Sequence, residues 1–180
     1  MNRQMKLPNW LPISLIGLLA LAGCATPATH QSMVPANLEG GRKHLKTVSV
    51  AASGGRETVA IDKPQISNDT LAKALTEAIT KAHTFSRVVE GNAADYLLAV
   101  HIFSIEQPSF GLSFSVKMEA GWTLTRTDTK TVVWQEAIKS EYTATPGDAF
   151  AAAVRLRLAT EGAARNNIAE GLAKISSMQL

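Results

Sequence analysis

Between Leu112 and Thr125 apolar and polar side chains alternate without a break. Leu112, Phe114, Val116, Met118, Ala120, Trp122 and Leu124 fall on one side, and Ser113, Ser115, Lys117, Glu119, Gly121, Thr123 and Thr125 on the other. Side chains of a strand point alternately to its two faces, so this run predicts a long strand with one face buried and the other either wetted or bound to something. Thr127, Asp128 and Thr129 supply a turn. The returning strand is then expected to set Leu124 opposite Val132, Trp122 opposite Trp134, Met118 opposite Ile138 and Phe114 opposite Tyr142.

The rest of the chain supplies cover for that face. Thr47 to Val50 is a short β-prone run that stops near Gly54 and Gly55, with Thr58 to Ile61 as a continuation after a turn. Ser67, Asn68 and Asp69 offer helix caps, and Leu71, Leu75, Ala78, Ile79 and Ala82 recur at helical spacing, which predicts a helix over about 68–84. After Arg87 to Val89 and a turn at Gly91 and Asn92, Tyr96 to Ile105 is apolar on both alternating faces, as a central strand requires. Pro146, Gly147 and Asp148 open a last helix whose inner stripe is Phe150, Val154, Leu158, Ile168, Leu172 and Ile175. Gly162, Ala163 and Ala164 interrupt the stripe and mark either a close helix-to-sheet approach or a kink. The expected fold is α+β, with two helices packed on one face of a mostly antiparallel sheet of about four strands. Ile66, Asn68, Leu71, Ala74, Leu75 and Phe85, followed by Ala94, Asp95 and Tyr96, form a pattern that resembles small periplasmic α/β domains of envelope lipoproteins and of the amino-terminal TolB type. The resemblance implies the same architecture and leaves function open.

At the amino terminus Arg3 and Lys6 precede an apolar stretch from Leu11 to Leu21 that closes on Ala22, Gly23 and Cys24, the order of a secretory signal. The stretch is interrupted by Pro12 and Ser14 and falls short of the ~20 residues a membrane-crossing helix needs. Leu21, Ala22, Gly23 and Cys24 resemble the bacterial lipoprotein signal, the lipobox. That resemblance implies a diacylglyceryl thioether on Cys24 and cleavage just before it. A thiolate is the nucleophile such chemistry needs, and two or more acyl chains anchor where one does not. The following residue is Ala25 and not Asp, so the resemblance further implies the outer membrane with the domain facing the periplasm. An ordinary secreted protein with a free cysteine is the plainer alternative. Residues 1–23 are thus expected to be signal peptide, 24–45 a lipidated cysteine with a flexible tether, and 46–180 the folded domain. The tether holds Pro27, Pro35, Gly40 and Gly41 without apolar periodicity, would extend at most ~65 Å, and would average ~25 Å as a coil.

A chain of 180 residues, 46% hydrophobic and 18% charged, has the balance of one globular domain. Its +3 net charge includes Arg3 and Lys6, and from residue 24 onward 16 basic side chains face 15 acidic ones, which gives no basic surface for nucleic acid. One cysteine excludes an intrachain disulfide framework. Gly54 and Gly55 stand alone rather than in a phosphate loop, and His30, His44, His83 and His101 show no metal-ligand spacing. Asp62, Asp69, Asp95 and Asp148 sit where turns and caps want acceptors. The expectation is therefore a protein without catalytic residues, metal or cofactor. Candidate contacts to a partner are Phe110, in a loop with Pro108 and Gly111, and Arg155, Arg157 and Arg165 on the last helix, for an acidic partner or lipid phosphates. A solvated helical face is the plainer reading of the three arginines. The function expected is that of a tethered binding or assembly module for another envelope component, as an auxiliary of transport or envelope assembly. Its rivals are a carrier of lipid or another hydrophobic ligand and a hydrolase with a dispersed site.

Overall fold

The computed structural model describes residues 25–38 and 41–180. Strands β1 (His44–Ser53), β2 (Phe85–Val88), β3 (Tyr96–Glu106), β4 (Phe114–Arg126) and β5 (Val132–Ala144) form one sheet in the order β2-β1-β3-β4-β5. Helices α1 (His30–Met33), α2 (Asn68–Ala82) and α3 (Ala152–Ser177) complete it. The α+β class with two long helices agrees with the sequence, whereas the sheet has five strands and is mixed. β1 runs parallel to both β2 and β3, while β3, β4 and β5 form an antiparallel meander. A parallel pair needs a crossover, and α2 provides the one between β1 and β2. Four residues of β2 are too few to display an alternation, so the extra strand left no pattern to read.

α2 forms where the sequence offers both a start and a stop. The Ser67 hydroxyl accepts from the Thr70 N–H at 3.2 Å, and His83 ends the helix in the left-handed conformation at φ 52°. Leu71, Ala74, Leu75, Ala78 and Ile79 are its buried face. α3 is unbroken through Gly162, so the small residues there serve close approach and not a kink. A β-carbon on Gly162 would lie 2.3 Å from the Tyr142 ring, and one on Gly171 would lie 2.5 Å from Trp122. Beneath them Trp122, fully buried, donates its indole N–H to Asn167 at 2.9 Å, and the Asn167 amide donates to the Ile138 carbonyl at 2.9 Å. The inner stripe expected on α3 holds only in its second half. Ile168, Leu172 and Ile175 are buried and Leu158 is partly so. Phe150 precedes the helix, which starts at Ala152, and stands exposed, as does Val154 in the first turn.

The β4–β5 hairpin forms, in a register two residues away from the expected one. Leu124 pairs with Trp134, Trp122 with Glu136, Ala120 with Ile138, Met118 with Ser140, Val116 with Tyr142 and Phe114 with Ala144. The loop takes one residue more than a three-residue turn, with Arg126 N–H donating to Thr131 O and Lys130 at φ 55°, and a bulge between Leu124 and Thr125 takes a second. A shift of two keeps every side chain on its own face, so the buried side of β4 is the expected one.

A second bulge lies in β3, where Ile102 pairs with Ala120 and Ser104 with Glu119, which leaves Phe103 as the extra residue. The bulge returns Ile105 to the side of the helices and turns the Phe103 ring outward, over the position of Gly121.

Candidate functional site

The lipobox residues Leu21, Ala22, Gly23 and Cys24 lie outside the described residues. The chain that follows them does not hang free as a tether. Ala25 N–H donates to Ala60 O at 3.2 Å and Ala28 N–H to Gln65 O at 3.3 Å. Thr29 gives both its N–H and its hydroxyl to one carboxylate oxygen of Glu161, at 2.9 and 3.1 Å. Met33 is fully buried and packs with Ala28 and Val34 in the main core. The expected flexible segment is corrected here to a strap across the helices. Ala28 and the apolar triplet of Met33, Val34 and Pro35 were the sign of this in the sequence.

The three arginines expected at a partner surface are spent within the fold. Arg155 is buried, lies with its guanidinium 5.6 Å from the Phe114 ring centroid, and donates to the carbonyls of Ala149 and Phe150 at 2.8 and 2.5 Å. Arg157 stands 3.9 Å from the buried Glu161, one turn on. Arg165 reaches across the Tyr142 ring at 5.1 Å and donates to Ser32 O at 2.8 Å, fastening the strap. They do not form one acidic-partner grip, because the alternation of polar residues on α3 does not reveal that Arg155 and Glu161 face inward. Phe110, by contrast, is 89% exposed in its loop.

Two features escaped the sequence. Glu161 holds the strap through one oxygen, while its other oxygen and Arg157 Nε make no hydrogen bond among the described residues. The second is the sheet face turned away from the helices. There the Phe103 ring stands over Gly121 and 5.3 Å from His101, whose Nδ1 meets the Ser53 hydroxyl at 2.9 Å. Exposed Ala137 and Gln135 continue this lane on β5, and a charged lane runs beside it with Glu119 and Lys139 at 3.8 Å. Among the described residues β5 is also an unpaired edge, thirteen residues long. Main-chain groups of such an edge are open to pairing with another chain.

The remaining chemistry is structural. Asp148 accepts from the Thr145 N–H and hydroxyl at 2.7 and 2.8 Å, and Asp95 accepts from both groups of Thr47 at 2.8 Å. Those bonds hold both carboxyls below their usual range. Among the described residues no three His, Cys, Asp or Glu side chains come together as a metal-holding group. Two clefts among the described residues are open surface grooves. One, about 550 Å³, lies between the ends of α2 and α3 by Leu38, Thr84 and Leu172. The other, about 650 Å³, runs along α2 and the β1–β2 edge. Between helices and sheet the space is filled by Trp122, Met33, Leu75, Leu98 and Ile168.

No family model matches the chain, and no curated protein matches it in sequence. Solved structures do match in fold. A Xanthomonas campestris protein described under the family designation DUF330 superposes with a TM-score of 0.61 at 15% identity, over 84% of this chain and 92% of that one. Uncharacterized lipoprotein B of Nitrosomonas europaea gives 0.51 at 12% identity, over 78% and 89%. A candidate lipoprotein of Caulobacter crescentus gives 0.50 at 18% identity, over 72% and 87%. The sheet with its two long helices is thus a fold this chain shares with bacterial lipoprotein domains.

Proposed function

We propose that the chain is a lipoprotein of the outer membrane, anchored through Cys24, whose periplasmic domain binds another envelope component as an auxiliary of transport or assembly and catalyses no reaction. The observation that carries this reading is the one-sided sheet. Helices cover most of one face, leaving Trp134 and Glu136 part-exposed towards the β5 edge, while among the described residues the other face, with exposed His101, Phe103 and Ala137 across it, is left open. Anchoring supports a modest interface, because confinement near a membrane raises the effective concentration of the two partners. The lipobox-like residues and the likeness in fold to lipoprotein domains support the anchor. The filled core supports a docking module over a carrier, which needs an enclosed apolar cavity.

Photo-crosslinkers placed at Phe103 and Ala137 in intact cells test this directly, with exposed Ala173 on α3 as the control position. Capture of the same envelope protein from the sheet positions and not from Ala173 is the expected result. Equal yields from all three positions, or none from any, would sink the docking reading. Intact mass of the mature chain, beside a Cys24→Ser variant, tests the anchor.

A further inference from the structure

We infer that the end of the domain formed by the loops 54–66, 107–113 and 145–151 is a membrane-contact surface that lies in the headgroup region of the bilayer. The inference deepens the proposed anchoring and rests on it for the covalent link at Cys24.

Three loops are bound into one end of the molecule. Lys63 Nζ donates to Gln107 O at 2.9 Å and Ser109 Oγ at 3.2 Å, and the Gln107 amide donates to Pro64 O and to Thr160 Oγ1 on α3. Phe114 pairs with Ala144 just before the third loop, and Arg155 ties Phe150 O to the same place. From this rigid base four large apolar side chains point into water: Ile61 and Phe150 at 99%, Phe110 at 89% and Leu112 at 80% exposure. Singly exposed apolar residues are ordinary, but four on the loops of one end form a patch of the kind that marks a docking surface.

What covers the patch follows from where the chain enters it. Ala25 is hydrogen bonded to Ala60, next to Ile61, and Cys24 is its chain neighbour, ~3.8 Å away between α-carbons. A lipid attached there leaves no slack by which the domain could stand away from the membrane. The acyl chains and the four side chains would enter the same interface, at the depth of ~5–10 Å reached by other peripheral apolar faces. Arg56 and Lys63 on the first loop are balanced by Glu57 and Asp62, and Asp148 on the third adds one negative charge, so the attraction is apolar and not electrostatic. The open face of the sheet then stands beside the membrane, free for a partner.

The test uses the purified acylated protein in vesicles of phosphatidylethanolamine and phosphatidylglycerol. An environment-sensitive fluorophore is placed at Leu112→Cys, Phe150→Cys or Leu45→Cys, and the parent chain, treated alike, is the blank. Leu45 is as exposed, at 93%, but follows His44, whose ring meets Ile175 O at the far end of α3, roughly 35 Å from Phe150 at the helical rise. Expected are a blue shift and strong quenching by nitroxide-bearing lipids at 112 and 150, and neither at 45. Quenching at 112 and 150 no greater than at 45 overturns the inference. So does a blue shift that grows with protein density and ignores the quencher, which assigns the patch to a second copy. The intact mass of the same samples separates the two readings. Acylated Cys24 with a dry 112 overturns the contact surface and leaves the anchor; bare Cys24 with an immersed 112 does the reverse.

Discussion

The carboxylate of Glu161 on α3 accepts the backbone N–H and the hydroxyl of Thr29, a residue 132 positions earlier in the chain. Through that pair a segment with little apolar character becomes part of the helical layer. Glu161→Ala leaves the Thr29 N–H without its carboxylate partner and the hydroxyl with Ser32 Oγ alone, at a cost of about 1–3 kcal/mol. The expected readout is loss of amide-exchange protection across residues 28–34 with β3 and β4 unaffected. Unchanged protection of that segment would mean the clamp is incidental.

Met33 makes a sharper test of whether the strap belongs to the cooperative core. Its side chain is fully buried, so Met33→Ala should destabilise the whole domain by about 2–5 kcal/mol, seen as a lower urea midpoint in a single transition. A loosely attached tether would show no change.

Under α3, Trp122 and Asn167 define how closely the helix sits on the sheet. Gly171→Ala puts a methyl group against the Trp122 ring and should cost about 1–3 kcal/mol, with an altered Trp122 emission. Asn167→Ala orphans both the indole N–H and the Ile138 carbonyl and should cost at least as much, about 1–3 kcal/mol for each group left unpaired. Gly147→Ala, with only a hydroxyl at 3.4 Å beside it, serves as the neutral comparison.

Acid should weaken the domain through its turns. The carboxyls of Asp95 and Asp148 are held below their ordinary value of 3.8, chiefly by the Thr47 and Thr145 backbone N–H groups. The unfolded chain therefore takes up these protons first. The contribution is present in full above 3.8 and is lost as pH falls through the depressed folded-state values. Unfolding midpoints should be level from neutrality to about pH 5 and fall below it. An Asp95→Asn, Asp148→Asn double variant should show a shallower fall. Glu136 and Lys174, joined at 2.6 Å, add the mirror effect on the lysine side, whose stabilisation is lost only above 10.5.

Much of the fold was legible because alternation and helical spacing are local patterns. The run from Phe114 to Leu124 showed its buried face, though Leu112 stands exposed before the strand begins, and the α2 stripe lay within one helix. The hairpin register was less legible, since a bulge costs little and nothing in the turn residues announces it. β2 was missed for its brevity, and the parallel pairing of β1 depends on a crossover whose ends are 32 residues apart, from Ser53 to Phe85. For the candidate site, Phe110 was readable as an aromatic in a Pro- and Gly-containing loop. Phe103 was not, because its outward turn depends on a bulge set against β4.

The order of elements, the buried side of the meander and the lipobox-like residues before Cys24 are written in neighbouring residues, where propensity and periodicity act within a few positions. Which charged side chains face inward, where residues 25–34 come to rest and which apolar groups share one end are settled by pairs far apart in the chain. Arg155, Glu161 and Arg165 look alike on a helical wheel. Their partners at Phe114, Thr29 and Ser32 become neighbours only when α3 lies across the sheet and the strap lies across α3.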